Sequence, residues 1–218
     1  MTQVLLPLEI NKYAEDFTTA ENKVLSALNR ETHIKVELPQ MLSGQLQGAV
    51  LQMISHMLKP RLVLEIGTYT GYSAICLAQG LTDNGHLHTI DINEELQDMA
   101  FRYFCEAGLE DKITQHIGKA VDIISTLVDD FDLVFIDADK QNYSLYYDMV
   151  FDKVLVGGFI LADNVLYNGE VTLPAEEQSK NARAMHDFNM KVRADKRVEH
   201  VLLPLRDGIM MVRKITNG

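Results

Sequence analysis

The spacing of hydrophobic and polar positions divides the chain into a helical start and an alternating remainder. Residues 1 to about 58 carry apolar positions at helical spacing in three stretches, LPLEINKYAEDF, TAENKVLSALNRET and GQLQGAVLQMISHMLK. Pro60 follows the third stretch and is predicted to end the last of these helices. The pattern therefore predicts a helical N-terminal extension over residues 1–58.

After Pro60 the pattern alternates between strand and helix. The predicted strands are RLVLEIG, HLHTIDI, KITQHIG, FDLVFID and GGFILADN. The predicted helices between them cover residues 71–80 and the stretches NEELQDMAFRYFCEAGL, AVDIISTLVDD and NYSLYYDMVFDKVL. Asn93 is predicted to cap the second of these helices, and Gly108 lies near its end. Strands that alternate with helices indicate a parallel sheet covered on both faces.

The C-terminal part departs from this alternation. Residues 175 to 195 are predicted to be helical, and RVEHVLLPL and GIMMVRKI are predicted strands joined by the short turn RDG. This hairpin makes the last strand antiparallel. The predicted fold class is therefore α/β, a single Rossmann-like, doubly wound domain over residues 1–218, mostly parallel, with an antiparallel C-terminal hairpin strand and preceding helices.

Composition limits the class of protein further. The hydrophobic content of 47% is ordinary for a globular chain of 218 residues. The formal net charge of −11 argues against a protein that binds nucleic acid over its whole surface. The N-terminus has no signal-peptide pattern, and no apolar run approaches the roughly 18 residues of a membrane span. Cys76 and Cys105 match no zinc or disulfide spacing, which favours a reducing cytoplasm.

The stretch EIGTYTGYS follows the first predicted strand and marks a ligand site. Gly67 and Gly71 permit a tight turn and close approach of a ligand, but the nicotinamide fingerprint G-x-G-x-x-G is not present. Glu65 would repel a pyrophosphate and attract a positive charge, while Asp91 can accept hydrogen bonds from both hydroxyls of a ribose. S-adenosylmethionine meets these demands. The alternative is that the glycines only cap a strand and that Asp91 is a solvated strand end.

Charged and polar side chains also end the next two parallel strands. Asp137 follows FDLVFI, and Asp163 and Asn164 end FILADN. If these strands are adjacent, three oxygen donors converge, and a set without Cys or His suits the hard cations Mg²⁺, Mn²⁺ or Ca²⁺. Three protein donors leave about three positions of an octahedron for water or substrate oxygens. The alternative, that each aspartate caps the following helix, does not explain the Asp163–Asn164 pair.

Together these motifs resemble the cation-dependent O-methyltransferases, the family of caffeoyl-CoA O-methyltransferase. The matching stretches are LVLEIGTYTGYSAICLA, IDI, FIDADKQNY, GGFILADNVLYNG and LPLRDGIMM, and the resemblance runs from about residue 35 to the C-terminus. It implies a class I S-adenosylmethionine-dependent methyltransferase fold and usually a homodimer. The specific parts of the resemblance are the DADKxNY motif and the DN pair that follows it.

The resemblance also implies roles for individual residues. It implies that the metal ligands are Asp137, Asp163 and Asn164. It implies that the residues around S-adenosylmethionine are Glu65, Gly67, Thr68, Ser73, Asp91, Ala120 and Asp137. Lys140 is the candidate general base and, with Asp137, a candidate catalytic residue. The alternative for Lys140 is an ion pair with Asp139 while the metal alone activates the hydroxyl. Tyr143 is expected to be a core tyrosine on a helix face.

The predicted reaction is metal-dependent methyl transfer to one hydroxyl of a small aromatic with two adjacent hydroxyls. Alternatives are a tRNA hydroxyuridine O-methyltransferase, a nicotinamide oxidoreductase and a cofactor-binding module without catalysis. For several side chains the sequence leaves two interpretations open, a contact with the substrate in the pocket or an ordinary surface role. The side chains in question are Tyr167, Asn168, Lys180 and Arg183. For Met41 the two interpretations are a place over the cofactor and an ordinary core role.

Overall fold

The structure of the chain is a computed structural model that describes residues 7–127 and 130–218. These residues fall into two compact units, 8–120 and 121–218. The helices are α1 Leu8–Asp16, α2 Lys23–Lys35, α3 Gly44–Leu58, α4 Tyr72–Ala78, α5 Gln97–Glu106, α6 Ala120–Thr126, α7 Tyr143–Phe151 and α8 Lys180–Ala194. The strands are β1 Leu62–Ile66, β2 His86–Asp91, β3 Ile113–Ile117, β4 Phe131–Ile136, β5 Val154–Asp163, β6 Val198–Leu203 and β7 Ile209–Lys214.

The unit of residues 8–120 contains three parallel strands in the order β3-β2-β1. Every residue of α4 is buried, because its sequence YSAICLA has no charged side chain to face water. Helix α3 packs closely on α4, and Gly48 permits this approach: a Cβ at Gly48 would lie 2.6 Å from the Tyr72 ring. The C-terminal ends of β1 and β2 are therefore held next to a fully buried helix.

The unit of residues 121–218 contains four strands in the order β4-β5-β7-β6. Strands β4 and β5 are parallel, and β7 runs antiparallel to both β5 and β6. Helices α7 and α8 pack against each other, and the ring of Phe188 meets the rings of Tyr143 and Tyr147 edge-on. These contacts hold the start of α7 beside the end of β4.

The predicted fold class is confirmed: in the described part of the chain β1 to β6 alternate with helices, β7 follows β6 in a hairpin, and only β7 is antiparallel. The prediction that the helix after β4 runs to Leu155 was wrong, because the Phe131 N–H donates to the Lys153 carbonyl and Val154 already pairs with Phe131 in β5. Helix α8 begins at Lys180 rather than at residue 175, since Ser179 caps it by accepting from Ala182 N. The predicted helical residues 1–6 and 128–129 lie outside the described residues. The single domain stays a prediction.

Across 7–127 and 130–218, no helix is both long enough and apolar enough to cross a membrane.

A histidine cluster on β2 and β3 predicts a pH dependence of stability. His88 Nδ1 lies 3.0 Å from His116 Nε2, and the His86 and His88 rings are 5.0 Å apart. Burial lowers the pKa of His86 and His116 below the ordinary 6.5, and for His116 the nearby His86 adds to the effect. Below pH 6.5 the unfolded chain therefore binds more protons than the folded chain. The contribution of these histidines to the free energy of unfolding is fully present above pH 6.5 and is lost as pH falls through the lowered pKa values.

The measurement is the urea midpoint between pH 7.5 and pH 5.5. The midpoint of the wild type is expected to fall over this range, and His116→Asn is expected to reduce the fall. His33→Asn on α2 is the matched control, since His33 is exposed. Equal slopes for wild type and His116→Asn would contradict the assignment.

Candidate active site

The loop between β1 and α4 needs glycine at both of its turns. Gly67 and Gly71 have φ angles of +109° and +90°, and Gly71 N donates to the Thr68 carbonyl at 2.8 Å to close the loop. A Cβ at Gly71 would lie 2.6 Å from the buried Phe104 ring. Backbone geometry therefore favours glycine at both positions, and packing requires it at Gly71 as well, whichever ligand the loop binds.

This requirement gives a stability prediction. Gly71→Ala is expected to lower the free energy of unfolding by roughly 2–4 kcal/mol, because it adds both a left-handed alanine and a clash in a packed core. Gly108→Ala is the matched control: Gly108 has φ +66°, but a Cβ added there would meet nothing within 4 Å, so roughly 1–2 kcal/mol is expected. Equal losses by urea unfolding would show that the Phe104 contact costs nothing.

Glu65, Thr68 and Asp91 are brought to the ends of β1 and β2. Glu65 is fully buried, and Thr89 Oγ1 donates to its Oε2 at 2.5 Å. Thr89 in turn accepts from Thr68 at 2.5 Å, so Glu65 and Thr68 are joined through Thr89. The two oxygens of Asp91 accept from Tyr69 N at 2.7 Å and from Asn93 N at 2.9 Å. Each carboxylate oxygen keeps a second lone pair for a ligand.

Ser73 and Ala120 lie at helix starts. Ser73 is in the first turn of α4, and Ala120 is the first residue of α6, directly after β3 and Lys119. Helix starts present free backbone N–H groups, which suits the contacts predicted for both positions.

The predicted cation ligands lie at the ends of β4 and β5. The register pairs Ile136 with Ala162, so Asp137 and Asp163 follow at the same edge of these two parallel strands. Asp163 is 3% exposed, and its Oδ1 accepts from Asn164 N at 2.8 Å. Asn164 has a φ of +58°, a left-handed conformation that asparagine tolerates.

Lys140 lies beside Asp137 in this group of polar side chains. Its Nζ donates to Asp137 Oδ1 at 2.9 Å and to the Tyr143 hydroxyl at 2.7 Å, and that hydroxyl donates to the Ile136 carbonyl at 3.2 Å. Burial alone would lower the pKa of Lys140, but Tyr143, Asp137 and Asp163 more than reverse this and raise it well above its ordinary value. Lys140 is therefore an ammonium ion here.

The alternative ion pair between Lys140 and Asp139 was wrong. Asp139 accepts instead from the Tyr146 hydroxyl and, at 2.5 Å, from Asn142 Nδ2. Tyr143 is a buried core tyrosine as expected, fully shielded from water. Its hydroxyl also contacts Lys140, a role that the sequence pattern did not indicate.

Asp207 is a site residue that sequence reasoning missed. It lies in the turn between β6 and β7, is 8% exposed, and its Oδ1 accepts from Asn168 N at 2.5 Å. Burial raises its pKa, while Asn168 N and Lys140 act in the opposite direction. The signal was the sequence RDG, which was interpreted only as a turn.

The candidate pocket residues have mixed outcomes. Asn181 Nδ2 donates to the Tyr167 hydroxyl at 2.9 Å, and Asn181 Oδ1 accepts from Gln141 Nε2 at 3.1 Å, so Tyr167 is linked to the segment beside Lys140. Arg183 donates to the Ala175 carbonyl and braces the preceding loop. Lys180 and Met41 are exposed.

The donor set at the ends of β4 and β5 fits a hard cation. Within residues 7–127 and 130–218 no group of three or more His, Cys, Asp or Glu side chains is placed to hold a metal ion. The proposed set has two carboxylates and one amide oxygen, so it is not such a group. Lys140 Nζ lies 2.9 Å from Asp137 Oδ1, and Asp163 as well as Asp137 raises the Lys140 pKa, so the negative charge of both carboxylates acts at this position. Hard oxygen donors around such a position suit Mg²⁺ or Mn²⁺.

Comparison with known proteins agrees with this fold and site. The family model described as O-methyltransferase matches residues 15–215. Caffeoyl-CoA O-methyltransferase 5 of Nicotiana tabacum is 35% identical over 198 residues, 86% of this chain and 82% of the relative. Caffeoyl-CoA O-methyltransferase 1 of Eucalyptus globulus is 37% identical over 180 residues, 78% of this chain and 73% of the relative.

Solved structures show the same similarity. An O-methyltransferase from Bacillus cereus in complex with SAH has a TM-score of 0.84 at 30% identity, covering 94% of this chain and 97% of its own. The O-methyltransferase TomG from Streptomyces achromogenes, in complex with SAM, has a TM-score of 0.88 at 27% identity, covering 95% and 96%. The chain therefore belongs to the family of S-adenosylmethionine-dependent O-methyltransferases that includes the caffeoyl-CoA enzymes.

Proposed function

We propose that the protein transfers a methyl group from S-adenosylmethionine to one hydroxyl of a small molecule with two adjacent hydroxyls, in a reaction that needs a divalent cation. The observation that carries the proposal is the arrangement of Asp137, Asp163 and Lys140. Two carboxylates lie at neighbouring strand ends, and the partly buried Lys140 ammonium contacts one of them at 2.9 Å. Such a site can hold a cation and steady an anionic oxygen beside it.

The cofactor contacts are proposed for the ends of β1 and β2. Asp91 would accept from the ribose hydroxyls through the free lone pairs of oxygens already fixed by two backbone N–H groups. Glu65, held by Thr89, would face the positive end of the cofactor, and Gly67 would let the cofactor approach the backbone. Thr68, Ser73, Ala120 and Asp137 complete the proposed set. The Bacillus cereus and TomG structures are complexes with SAH and SAM, which supports this choice of cofactor.

The cation would be held by Asp137, Asp163 and the amide oxygen of Asn164. When bound, it supplies Lewis-acid chemistry that lowers the pKa of a coordinated hydroxyl. The chain's own part is to keep both carboxylates in place. Asp163 is fixed by Asn164 N, and Asp137 is fixed by Lys140. Mg²⁺ is the proposed ion, with Mn²⁺ and Ca²⁺ as the other hard cations that suit these donors.

Lys140 is proposed to act on the acceptor hydroxyl in one of two ways: it attracts the hydroxyl oxygen as an ammonium ion, or it accepts the hydroxyl proton as a base. As an ammonium ion it would attract the acceptor oxygen, and as a base it would have to lose its proton first. A divalent cation near Lys140 would lower the Lys140 pKa and so favour the second role. Tyr143 holds the Nζ atom in place for either role.

The proposed acceptor is a phenolic small molecule of the catechol or caffeoyl type. The plant relatives are named for caffeoyl-CoA, and Tyr167, anchored by Asn181, offers a fixed aromatic ring directly after the metal-binding loop. The alternative of tRNA hydroxyuridine is not favoured, because a net charge of −11 opposes binding to a polyanion. A nicotinamide oxidoreductase is less favoured still.

The test is release of S-adenosylhomocysteine from purified protein, S-adenosylmethionine and a panel of acceptors. The panel contains caffeate, caffeoyl-CoA, simple catechols and undermodified tRNA, each with Mg²⁺ or with EDTA. Release that requires both Mg²⁺ and a dihydroxy aromatic is the expected result. Release with tRNA alone would move the function to RNA modification, and release that persists in EDTA would overturn the cation role.

We also propose a homodimer, supported by an apolar stripe on α1. Ile10, Tyr13 and Phe17 are 54%, 61% and 75% exposed, and the Tyr13 and Phe17 rings stack at 4.2 Å. Helix α1 contains no buried residue, so its apolar side faces away from its own unit. Light scattering is expected to give a dimer for the wild type and a monomer for Tyr13→Glu/Phe17→Glu. Phe101→Glu, at another exposed aromatic, is the control, and a monomeric wild type would refute the proposal.

A cytoplasmic location is proposed from the cysteines. Cys76 and Cys105 are both free, and burial raises the pKa of the Cys76 thiol, which keeps it unreactive. Free thiols are typical of a reducing compartment.

A further inference from the structure

The turn between β6 and β7 is bonded to the loop that follows β5. Val165 N donates to the Gly208 carbonyl at 3.1 Å, and Leu166 N donates to the Asp207 carbonyl at 2.9 Å. A Cβ at Gly208 would lie 2.6 Å from Leu166, so the two segments touch without spare space. The turn therefore fixes the path of the loop immediately after Asn164.

The loop needs this support because several of its residues are in the left-handed region. Asn164, Tyr167 and Asn168 have φ angles of +58°, +44° and +55°. Non-glycine residues in this region cost about 1–3 kcal/mol each unless the surrounding structure holds them. The conformation that places Asn164 at the end of β5 is therefore imposed from outside the loop.

The side chain of Asp207 reaches into this loop. Its carboxylate accepts from Asn168 N at 2.5 Å, and the Asn164 side chain is a further partner that acts on it. A carboxamide donates to a carboxylate oxygen only through Nδ2. The Oδ1 atom of Asn164 then points away from Asp207 and is available to another group.

We propose that Asp207 is a positioning residue that holds residues 164–168 so that Asn164 presents its amide oxygen to the cation. The inference rests on the cation proposed to bind Asp137, Asp163 and Asn164, and it adds a residue that touches neither cation nor substrate. Partners of this kind, one step behind the ligands, typically change metal affinity 10–100-fold when they are replaced.

The experiment is Mn²⁺ binding to the full chain by isothermal titration calorimetry, with no substrate and no turnover. Asp207→Asn keeps the shape of the side chain but places an amide donor where only acceptors stood. Its Kd for Mn²⁺ is expected to rise about 10–100-fold. Asp187→Asn, at an exposed aspartate on α8, is the matched control and is expected to bind as the wild type does.

A double variant distinguishes a positioning role of Asp207 from a general disturbance of the cation site. In Asn164→Ala, adding Asp207→Asn is expected to cause no further loss, because Asp207 acts through Asn164. An equal loss in both backgrounds would overturn the inference, and so would an unchanged Kd in the single variant. If Asp207→Asn does not fold, Asp207→Ser replaces it, since its hydroxyl can accept from Asn168 N but is too short to orient Asn164. A wild type that binds no Mn²⁺ would overturn the cation proposal itself, a result distinct from wild-type binding that Asp207→Asn leaves unchanged.

Discussion

Asp163→Ala is expected to abolish cation-dependent turnover while the protein stays folded. The variant removes a proposed cation ligand and a charge at the end of β5. A cation contributes several kcal/mol to stabilising the developing charge, so a loss on the order of 10³-fold or more in kcat/KM is expected. The measurement is S-adenosylhomocysteine release at saturating Mg²⁺, with circular dichroism to verify folding.

Two further variants, one conservative substitution and one control, are compared with Asp163→Ala. Asp163→Asn keeps the shape and one oxygen, and is expected to regain part of the activity only at high Mg²⁺ concentration. Asp187→Ala, at an exposed aspartate on α8, is expected to retain wild-type rates. Turnover by Asp163→Ala at the wild-type rate would remove Asp163 from the metal site.

Lys140→Ala is the second substitution with a large expected effect. If Lys140 accepts the proton of the acceptor, kcat is expected to fall about 10²–10⁴-fold, the usual contribution of a general base. If the cation alone activates the hydroxyl, the loss is expected to be small and to vanish as pH rises. The measurement is the pH profile of kcat for both proteins, with Lys196→Ala as the exposed control.

Tyr143→Phe tests how Lys140 is held. The variant keeps the buried ring against Phe188 but removes one of the two hydrogen-bond partners of Nζ. A smaller loss in kcat than for Lys140→Ala is expected, with little change in KM. In a Lys140→Ala background the substitution is expected to have no further effect. A loss that persists there would mean that Tyr143 acts independently of Lys140.

The strands and most helices could be predicted because local pattern and tertiary packing agree in them. LVLEI, FDLVFI and FILAD are apolar runs bounded by glycine or charge, and each is a strand. The error at Val154 arose because VL continues the helical spacing of α7, while pairing with Phe131 draws it into β5. Only a partner distant in sequence decides such a boundary, and a local pattern does not contain it.

The polar site was predictable to the extent that it lies at strand ends. Parallel strands bring Asp137 and Asp163 to one edge whatever the loops do, so their proximity follows from topology. The contacts of Asp207 could not be inferred in this way, because they depend on how a hairpin turn folds onto a loop some 40 positions earlier. Asp139, adjacent in sequence to Lys140, is paired instead with Asn142 and Tyr146, three and seven positions further along the chain.

The contact between Gly208 and Leu166 bears on any attempt to change the acceptor by loop exchange. Residues 165–179 follow the proposed cation ligands and are the natural segment to graft from a relative. The backbone of residues 165–166 is hydrogen-bonded to residues 207–208, and Gly208 lies close against Leu166. A graft that brings a different loop but keeps this turn would therefore lose these contacts or clash with the turn. The transferable module is thus two segments, loop and turn together, and libraries that vary both should yield more folded variants than libraries that vary the loop alone.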